Sequence, residues 1–409
     1  MKEITITIAC EMAPGKTFIP IIKKLKELEK IGNLKWDKSK IIALTHGSGV
    51  EELIKPYCDE MHQIGEGRGA GKAKVNKVKL AYLIVRDIFN AIIGLSRKGV
   101  DVLITCGNAG DVRKSIIAAK LLRIPIIHIE QDIYNPIEAI AYSNLITIPE
   151  KKYIDFLKEN YSIGVKGDEP IQNRIGEESI QNEAEKGESI QNIHGYPMAS
   201  YVNDFVNSGN LISKEEIIEK YNVSDFILVF LGGDLRFTDL EDLIKAIEKA
   251  NCPTLIVPYR FEKETIEKFV NSSKVKVIDG SINLLSLMKS AKLMIYGAGM
   301  GMTIEAGVLE VPSIKIAGFH KNHGSVDLAN ELNIPILSID ELADFLGDFD
   351  KTNGTASIDK PNSEKLLKNS QIAVEKVVEI INNFDFKNPP KSSGFKSMKA
   401  IWNQMSKYR

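Results

Sequence analysis

At 409 residues the chain is longer than one hydrophobic core comfortably serves, so two domains of about 200 residues each are expected. Its composition, 44% apolar and 26% charged, is that of an ordinary folded protein, and a net charge of -1 excludes a general nucleic-acid binder, which needs a concentrated basic surface. Four scattered cysteines, Cys10, Cys58, Cys106 and Cys252, form no CxxC pair and no zinc spacing; they read as small buried apolar groups in a reducing compartment.

The sequence enters a strand pattern at once, without a basic leader and small-residue cleavage site, and no transmembrane-length apolar stretch follows. A cytoplasmic body is expected, with any membrane contact peripheral and at the inner face. Strands are predicted over Ile4–Ala9, Ile41–Thr45, Val102–Thr105, Pro125–Ile129 and Leu145–Thr147. Helices are predicted between and after them, over Thr17–Lys30, Gly49–Tyr57, Val78–Gly99, Val112–Leu122 and Ile137–Tyr142. Such alternation predicts an open parallel sheet covered on both faces. Ahead of the long third helix runs a basic cluster, Arg68, Lys72, Lys74, Lys77 and Lys79, which reads either as a solvated face or as a contact for an anionic membrane.

From Asn160 to Ile193 the pattern breaks. Three IQN copies begin at Ile171, Ile180 and Ile190 in a polar, glutamate-rich context, and an exposed decoration of the sheet is expected over about 161–192. The rhythm then restarts, with strands predicted over Phe226–Phe230, Thr254–Val257, Val275–Ile278, Leu293–Tyr296, Ser313–Ile316 and Pro335–Leu337. The domains are placed at 1–200 and 201–375. A final helix, Ser363–Asn382, leads into a tail within 376–409 that is expected to pack back on the first domain. The fold class is α/β, two Rossmann-like parallel-sheet domains facing a central cleft, with ligands expected outside the carboxyl ends of the strands.

The most informative string is YGAGMGMTIEAGVLEVPSI, Tyr296–Ile314. Gly297, Gly299 and Gly301 let the backbone turn with no side chain above it, so that its amides and those of the next helix approach phosphate oxygens, with Thr303 in the same segment. Glu305 is placed to accept hydrogen bonds from a ribose diol. The plainer alternative is a packing turn followed by an acid in the first helical turn, favoured by the helix dipole. Glu310 reads as solvated. In FLGGD, Gly232 and Gly233 follow a strand in the same manner.

Together these strings resemble the glycosyltransferase B-fold superfamily over residues 1 to about 375, in particular the lipid-II-forming N-acetylglucosaminyltransferase and UDP-N-acetylglucosamine 2-epimerase group. The resemblance implies that Glu305 binds the nucleotide ribose, and that His320, Asn322, His323 and Asp327 of IAGFHKNHGSVDLANEL approach the sugar or diphosphate. It implies a UDP-sugar as donor substrate and no further cofactor or metal.

The first domain departs from that pattern. Where the transferase has a glycine-rich loop ending in histidine, this chain has CEMAPGKTF, so Glu11 is a candidate base and Lys16 a candidate phosphate neighbour. GKT is no P-loop, because Cys10 occupies the first glycine position. HIEQD places His128, Glu130 and Asp132 where the epimerase has a catalytic acid, with His128 and Glu130 on one strand face. THGSG offers His46 and Ser48. TCGNAGDVRKS offers Gly107, Asn108, Gly110 and Asp111 as an acceptor-binding turn, or Asp111 as a helix cap. HGYP, His194–Pro197, reads as a hinge element.

The catalytic candidates are therefore Glu11, His46, His128 and Glu130. FLGGDLRF stands where the epimerase carries a histidine- and arginine-rich string, which favours sugar transfer to a small-molecule or lipid-linked acceptor over epimerisation. A 2-epimerase, hydrolysing or not, and a non-catalytic nucleotide-binding protein remain the alternatives, and a homodimer is left open.

Overall fold

The computed structural model describes residues 2–47, 49–65, 77–97, 99–108, 110–131, 133–164, 189–233, 235–259, 261–279, 283–318, 323–351 and 358–407. Contacts divide the chain into two compact units. One runs to Met198 and is rejoined by Asn369–Arg409; the other spans Ala199–Lys368.

In the first unit the elements are β1 (Glu3–Cys10), α1 (Met12–Lys30), β2 (Lys38–Thr45), α2 (Val50–Ile54), β3 (Glu60–Gln63), α3 (Lys77–Ser96), β4 (Val102–Cys106), α4 (Gly110–Leu122), β5 (Ile126–Ile129), β6 (Leu145–Ile148), α5 (Lys152–Tyr161) and β7 (Ile190–Asn192), and α6 (Pro197–Asn207) begins here and continues into the second unit from Ala199. All seven strands are parallel, in the order β3-β2-β1-β4-β5-β6-β7. The β-branched run ITITIAC is buried on both faces, as a central strand of a covered parallel sheet must be.

Three local expectations are corrected here. The strand β3, EMHQ, was not foreseen, because three half-buried residues and an exposed Gln63 at a sheet edge carry no apolar run. The segment 137–142 winds as a 3-10 helix over Glu138–Tyr142. The third IQN copy is no surface decoration: Ile190–Asn192 is the seventh strand, held by β6. The other two copies, like Arg68, Lys72 and Lys74, lie outside the described residues.

The second unit comprises α7 (Lys214–Tyr221), β8 (Ile227–Phe230), α8 (Leu240–Glu248), β9 (Thr254–Val257), α9 (Lys263–Glu267), β10 (Val275–Val277), α10 (Leu284–Ser290), β11 (Leu293–Tyr296), α11 (Met300–Leu309), β12 (Ser313–Ile316), α12 (Gly324–Glu331), β13 (Ile336–Leu337) and α13 (Ile339–Lys351). Its six parallel strands run β10-β9-β8-β11-β12-β13. Two parallel-sheet units are thus the observed architecture.

The chain then returns to the first unit through α14 (Glu364–Asn383) and α15 (Gly394–Lys407). Ile401 enters the core formed with Ile140, Tyr153 and Leu157, and Ser397 Oγ donates to the Ser162 carbonyl. Upstream, Asn382 accepts from the Lys35 amide and Phe386 meets Trp36 edge-on.

Helix α3 is amphipathic in an unusual sense. Asp87, Ala91 and Leu95 face the core, while Val78, Tyr82, Val85 and Phe89 are 60–76% exposed. Their spacing of four, three and four residues places them on one stripe. No helix among the described residues is long and apolar enough to cross a membrane.

Candidate functional site

In an open parallel sheet the strand order reverses at one point, and the loops leaving the two strands there diverge. In the second unit that point lies between β8 and β11, and the loop after each strand carries glycine, Gly232 two residues past β8 and Gly297 directly after β11. The Gly297 amide donates to the Phe230 carbonyl. A β-carbon on Gly232 would collide with Ala298 and the Gly297 carbonyl, and one on Gly297 would collide with Leu235. Gly233 has nothing within 4 Å of such a position. Two backbones therefore lie against each other, with open space beside them.

Gly299 caps α11, whose first turn contains Gly301. The His323 ring stands next to it, 3.4 Å from where a Gly299 β-carbon would be. His323 Nδ1 accepts hydrogen bonds from the Ser325 amide and hydroxyl at 3.1 and 2.7 Å, so in the neutral ring the proton sits on Nε2. Thr303 turns inward: its hydroxyl accepts from the Tyr296 hydroxyl at 3.2 Å and donates to the Gly299 carbonyl at 3.4 Å. Burial pushes the Tyr296 hydroxyl well above the usual phenol range, so it stays a donor.

Glu305 is 3% exposed. The helix begins at Met300, inside the glycine turn, which puts Glu305 in the second turn and leaves no acid in the first. An explanation by the helix dipole, which fades beyond the first turn, loses its force. Sequence reasoning also missed Lys315. This fully buried β12 lysine donates to the Ala298 carbonyl at 2.7 Å and stands 5.5 Å from the Tyr296 ring centroid, tying the glycine turn to the sheet. Its only sequence signal is a lysine inside the strand SIKI. Asp327 lies in the first turn of α12. His320 and Asn322 lie outside the described residues.

In the first unit the order reverses between β1 and β4. Glu11 follows β1, His46 follows β2, and Asp111 opens α4 after β4. The fold gathers their side chains: one ligand atom from each lies within 4.8 Å of the others. Glu11 is 44% exposed in its side chain, His46 is buried, and their closest atoms, Oε1 and Nδ1, are 3.7 Å apart. Behind the ring, Lys114 Nζ donates to His46 Nε2 at 3.1 Å and to Asp87 Oδ2 at 2.5 Å, and Arg86 pairs with the other Asp87 oxygen at 2.9 Å. With Nε2 accepting, the neutral ring carries its proton on Nδ1, the side facing Glu11. No motif announced Asp87 or Lys114, since they meet His46 from α3 and α4.

Asp111 has no exposed surface, and burial, then the neighbouring Glu11 charge, holds its carboxyl well above the usual carboxylate range. Burial does the same to the Cys10 thiol, with Asp111 adding to the effect.

His128 and Glu130 also meet, but inside. Neither has exposed surface; Nε2 and Oε2 are 3.3 Å apart, His128 Nδ1 is 2.8 Å from the Thr105 hydroxyl, and Glu130 Oε1 accepts from the Gln131 amide at 2.9 Å. His194 sits at positive φ and its amide donates to Asn192 Oδ1, forming a turn after β7. Ser48 and Asp132 lie outside the described residues.

A family described as a protein of unknown function (DUF354) matches residues 184–344. No curated protein matches the chain. Among solved structures, it is similar to the UDP-GlcNAc 2-epimerase of Neisseria meningitidis bound to UDP-GlcNAc, with 13% identity, a TM-score of 0.62 and coverage of 92% of this chain and 100% of that one. It is similar to the S. aureus MnaA–UDP co-structure, with 13% identity, a TM-score of 0.63 and coverage of 96% and 100%. The Methanocaldococcus jannaschii UDP-GlcNAc 2-epimerase in complex with UDP-GlcNAc and UDP gives 16% identity, a TM-score of 0.57 and full coverage of both chains. At such identities the likeness is one of fold: two parallel-sheet units of the glycosyltransferase B type.

Proposed function

We propose that this chain is a nucleotide-sugar-dependent glycosyltransferase, taking a sugar from a UDP-sugar and passing it to a small-molecule or lipid-linked acceptor. The observation that carries the donor reading is the bare double turn of Gly232 and Gly297, with the Nε2 edge of His323 alongside Gly299 and a buried carboxylate, Glu305, one helical turn further on. Main-chain amides and the imidazole N–H suit diphosphate oxygens, and a carboxylate suits a ribose diol. That proteins of this fold have been seen with UDP or UDP-GlcNAc supports the choice of nucleotide.

In the first unit Glu11 is the base. The acceptor oxygen bonds to the anomeric carbon while that carbon's bond to the diphosphate oxygen breaks with its electron pair. The acceptor proton passes to Glu11, whose Oε1 lies 3.7 Å from His46 Nδ1, and the glycine-turn amides take up charge on the departing diphosphate. The exposed α3 stripe, next in sequence to Lys72, Lys74, Lys77 and Lys79, suits peripheral contact with an anionic membrane that carries a lipid-linked acceptor.

The second reading, a 2-epimerase, draws on the names of the similar structures and on the carboxylate Glu130 at the end of β5. Against it stands the burial of Glu130, whose two oxygens are already met by His128 and the Gln131 amide. Mass spectrometry with a panel of nucleotide sugars, with and without acceptors, tests the proposal: release of UDP that depends on an acceptor supports transfer, whereas acceptor-independent formation of free epimerised sugar replaces transfer by the second reading.

A further inference from the structure

We propose that Glu11 and Asp111 form a proton-sharing pair, in which the proton sits on the buried Asp111 and the half-exposed Glu11 accepts its hydrogen bond. Their helices, α1 and α4, leave adjacent strands at the point where the first sheet's order reverses, so both acids are delivered to one place by the topology itself. Neither Asp111 oxygen receives a well-formed hydrogen bond among the described residues. Its polar neighbours are the carboxyl of Glu11, another acceptor, and the His46 ring, one nitrogen of which lies within 4.8 Å of both acids. Contact between two acceptors is repulsive when both are ionised and becomes a hydrogen bond when one carries a proton.

Most charged groups around the pair have partners of their own among the described residues. On α4, Lys114 spends its ammonium on Asp87 and His46, and Arg113 pairs with Glu138 at 2.6 Å. On α3, Arg86 is bound to Asp87. Lys16 lies five residues further along α1 than Glu11. At the end of β1 the Cys10 thiol is raised by burial and stays neutral, and Cys106 and Cys58 lie within its electrostatic reach. At the end of β5, His128 and Glu130 bind each other. The amides of Asp111 and Val112 oppose protonation, but burial and Glu11 outweigh them. A metal ion in place of the proton would need His46 Nδ1 bare, whereas the hydrogen bond from Lys114 to Nε2 puts the ring proton on Nδ1.

The pair can be read directly on the ligand-free protein, so the test is independent of whether the transfer reading holds. Infrared difference spectra at neutral pH should contain a protonated carboxylic-acid band that is lost in Asp111→Asn, and in Glu11→Gln the band should titrate at lower pH because the neighbouring charge is gone. A carboxyl raised in the folded state stabilises below its unfolded value and loses that contribution as pH rises through the folded value. The wild-type melting temperature should therefore fall relative to that of Asp111→Asn as pH is raised above the ordinary carboxyl range. Parallel melting curves at all pH values with no acid band would overturn the pair, as would a melting-temperature rise on adding Mn²⁺ or Zn²⁺ that Asp111→Asn abolishes, since that would make the site one for a metal ion.

Discussion

Gly232 and Ala298 lie so close that a β-carbon on the glycine would occupy the space of the alanine side chain and of the Gly297 carbonyl. The contact joins the loop after β8 to the loop after β11, and both partners are backbone-bound, so neither can move aside cheaply. Gly232→Ala should cost about 1–3 kcal/mol, the usual penalty for overpacking. Gly233→Ala, where nothing stands within 4 Å, should leave folding stability unchanged. Urea denaturation of the two variants tests this, and equal midpoints would show that the turn yields.

Glu305 supplies the second prediction. A ribose diol left without its acceptor in a buried place loses about 1–3 kcal/mol of binding. Titration calorimetry should therefore show UDP binding weakened by about fivefold to more than a hundredfold in Glu305→Ala, with Thr303→Val weakened less, because the Thr303 hydroxyl is engaged by Tyr296 and the Gly299 carbonyl. Equal UDP affinities for wild type and Glu305→Ala would remove Glu305 from the ribose.

Much of the fold was legible because a parallel strand buried on both faces reads as a run of β-branched and apolar residues. ITITIAC and LMIY announce themselves. The edge strands do not: β3 and β7 have polar centres and are held by one neighbour each, so pairing rather than composition makes them strands. The glycine turns were legible through backbone chemistry. Lys315, Asp87 and Lys114 were not, since each acquires its meaning from a partner far away in sequence, 17 to 68 residues off. Asp111 read equally well as a helix cap, and only its burial against Glu11 separates the two roles.

The α3 stripe carries a third prediction. Burying an exposed Tyr or Phe in a membrane interface recovers about 1.5 kcal/mol or more per side chain, and the lysines before the helix add attraction to anionic lipid. Vesicles rich in phosphatidylglycerol should co-sediment the wild type, less so at high salt. Tyr82→Glu with Phe89→Glu should lower partitioning at least about tenfold, while circular dichroism stays unchanged because both side chains are exposed. Sedimentation indifferent to the double substitution would send the stripe to another role.

The acid–base assignment makes the last prediction. If Glu11 removes the acceptor proton, Glu11→Gln keeps its shape but cannot accept, and turnover should fall about 10²–10⁴-fold with UDP affinity preserved. His46→Ala should lose less, since the ring only neighbours Glu11, at 3.7 Å, while Lys114 and Asp87 hold it from behind. His128→Ala and Glu130→Gln should behave differently. Each strips a fully buried group of its partner, so folding stability should fall, and turnover per folded molecule should change little. Measuring UDP release with an acceptor, and free sugar without one, separates the two classes. Acceptor-dependent release lost in Glu11→Gln and retained by folded Glu130→Gln places the chemistry after β1. The opposite pattern, with free sugar formed in the absence of acceptor and abolished by Glu130→Gln, would move it to the end of β5 and make the buried His128–Glu130 pair the working acid and base.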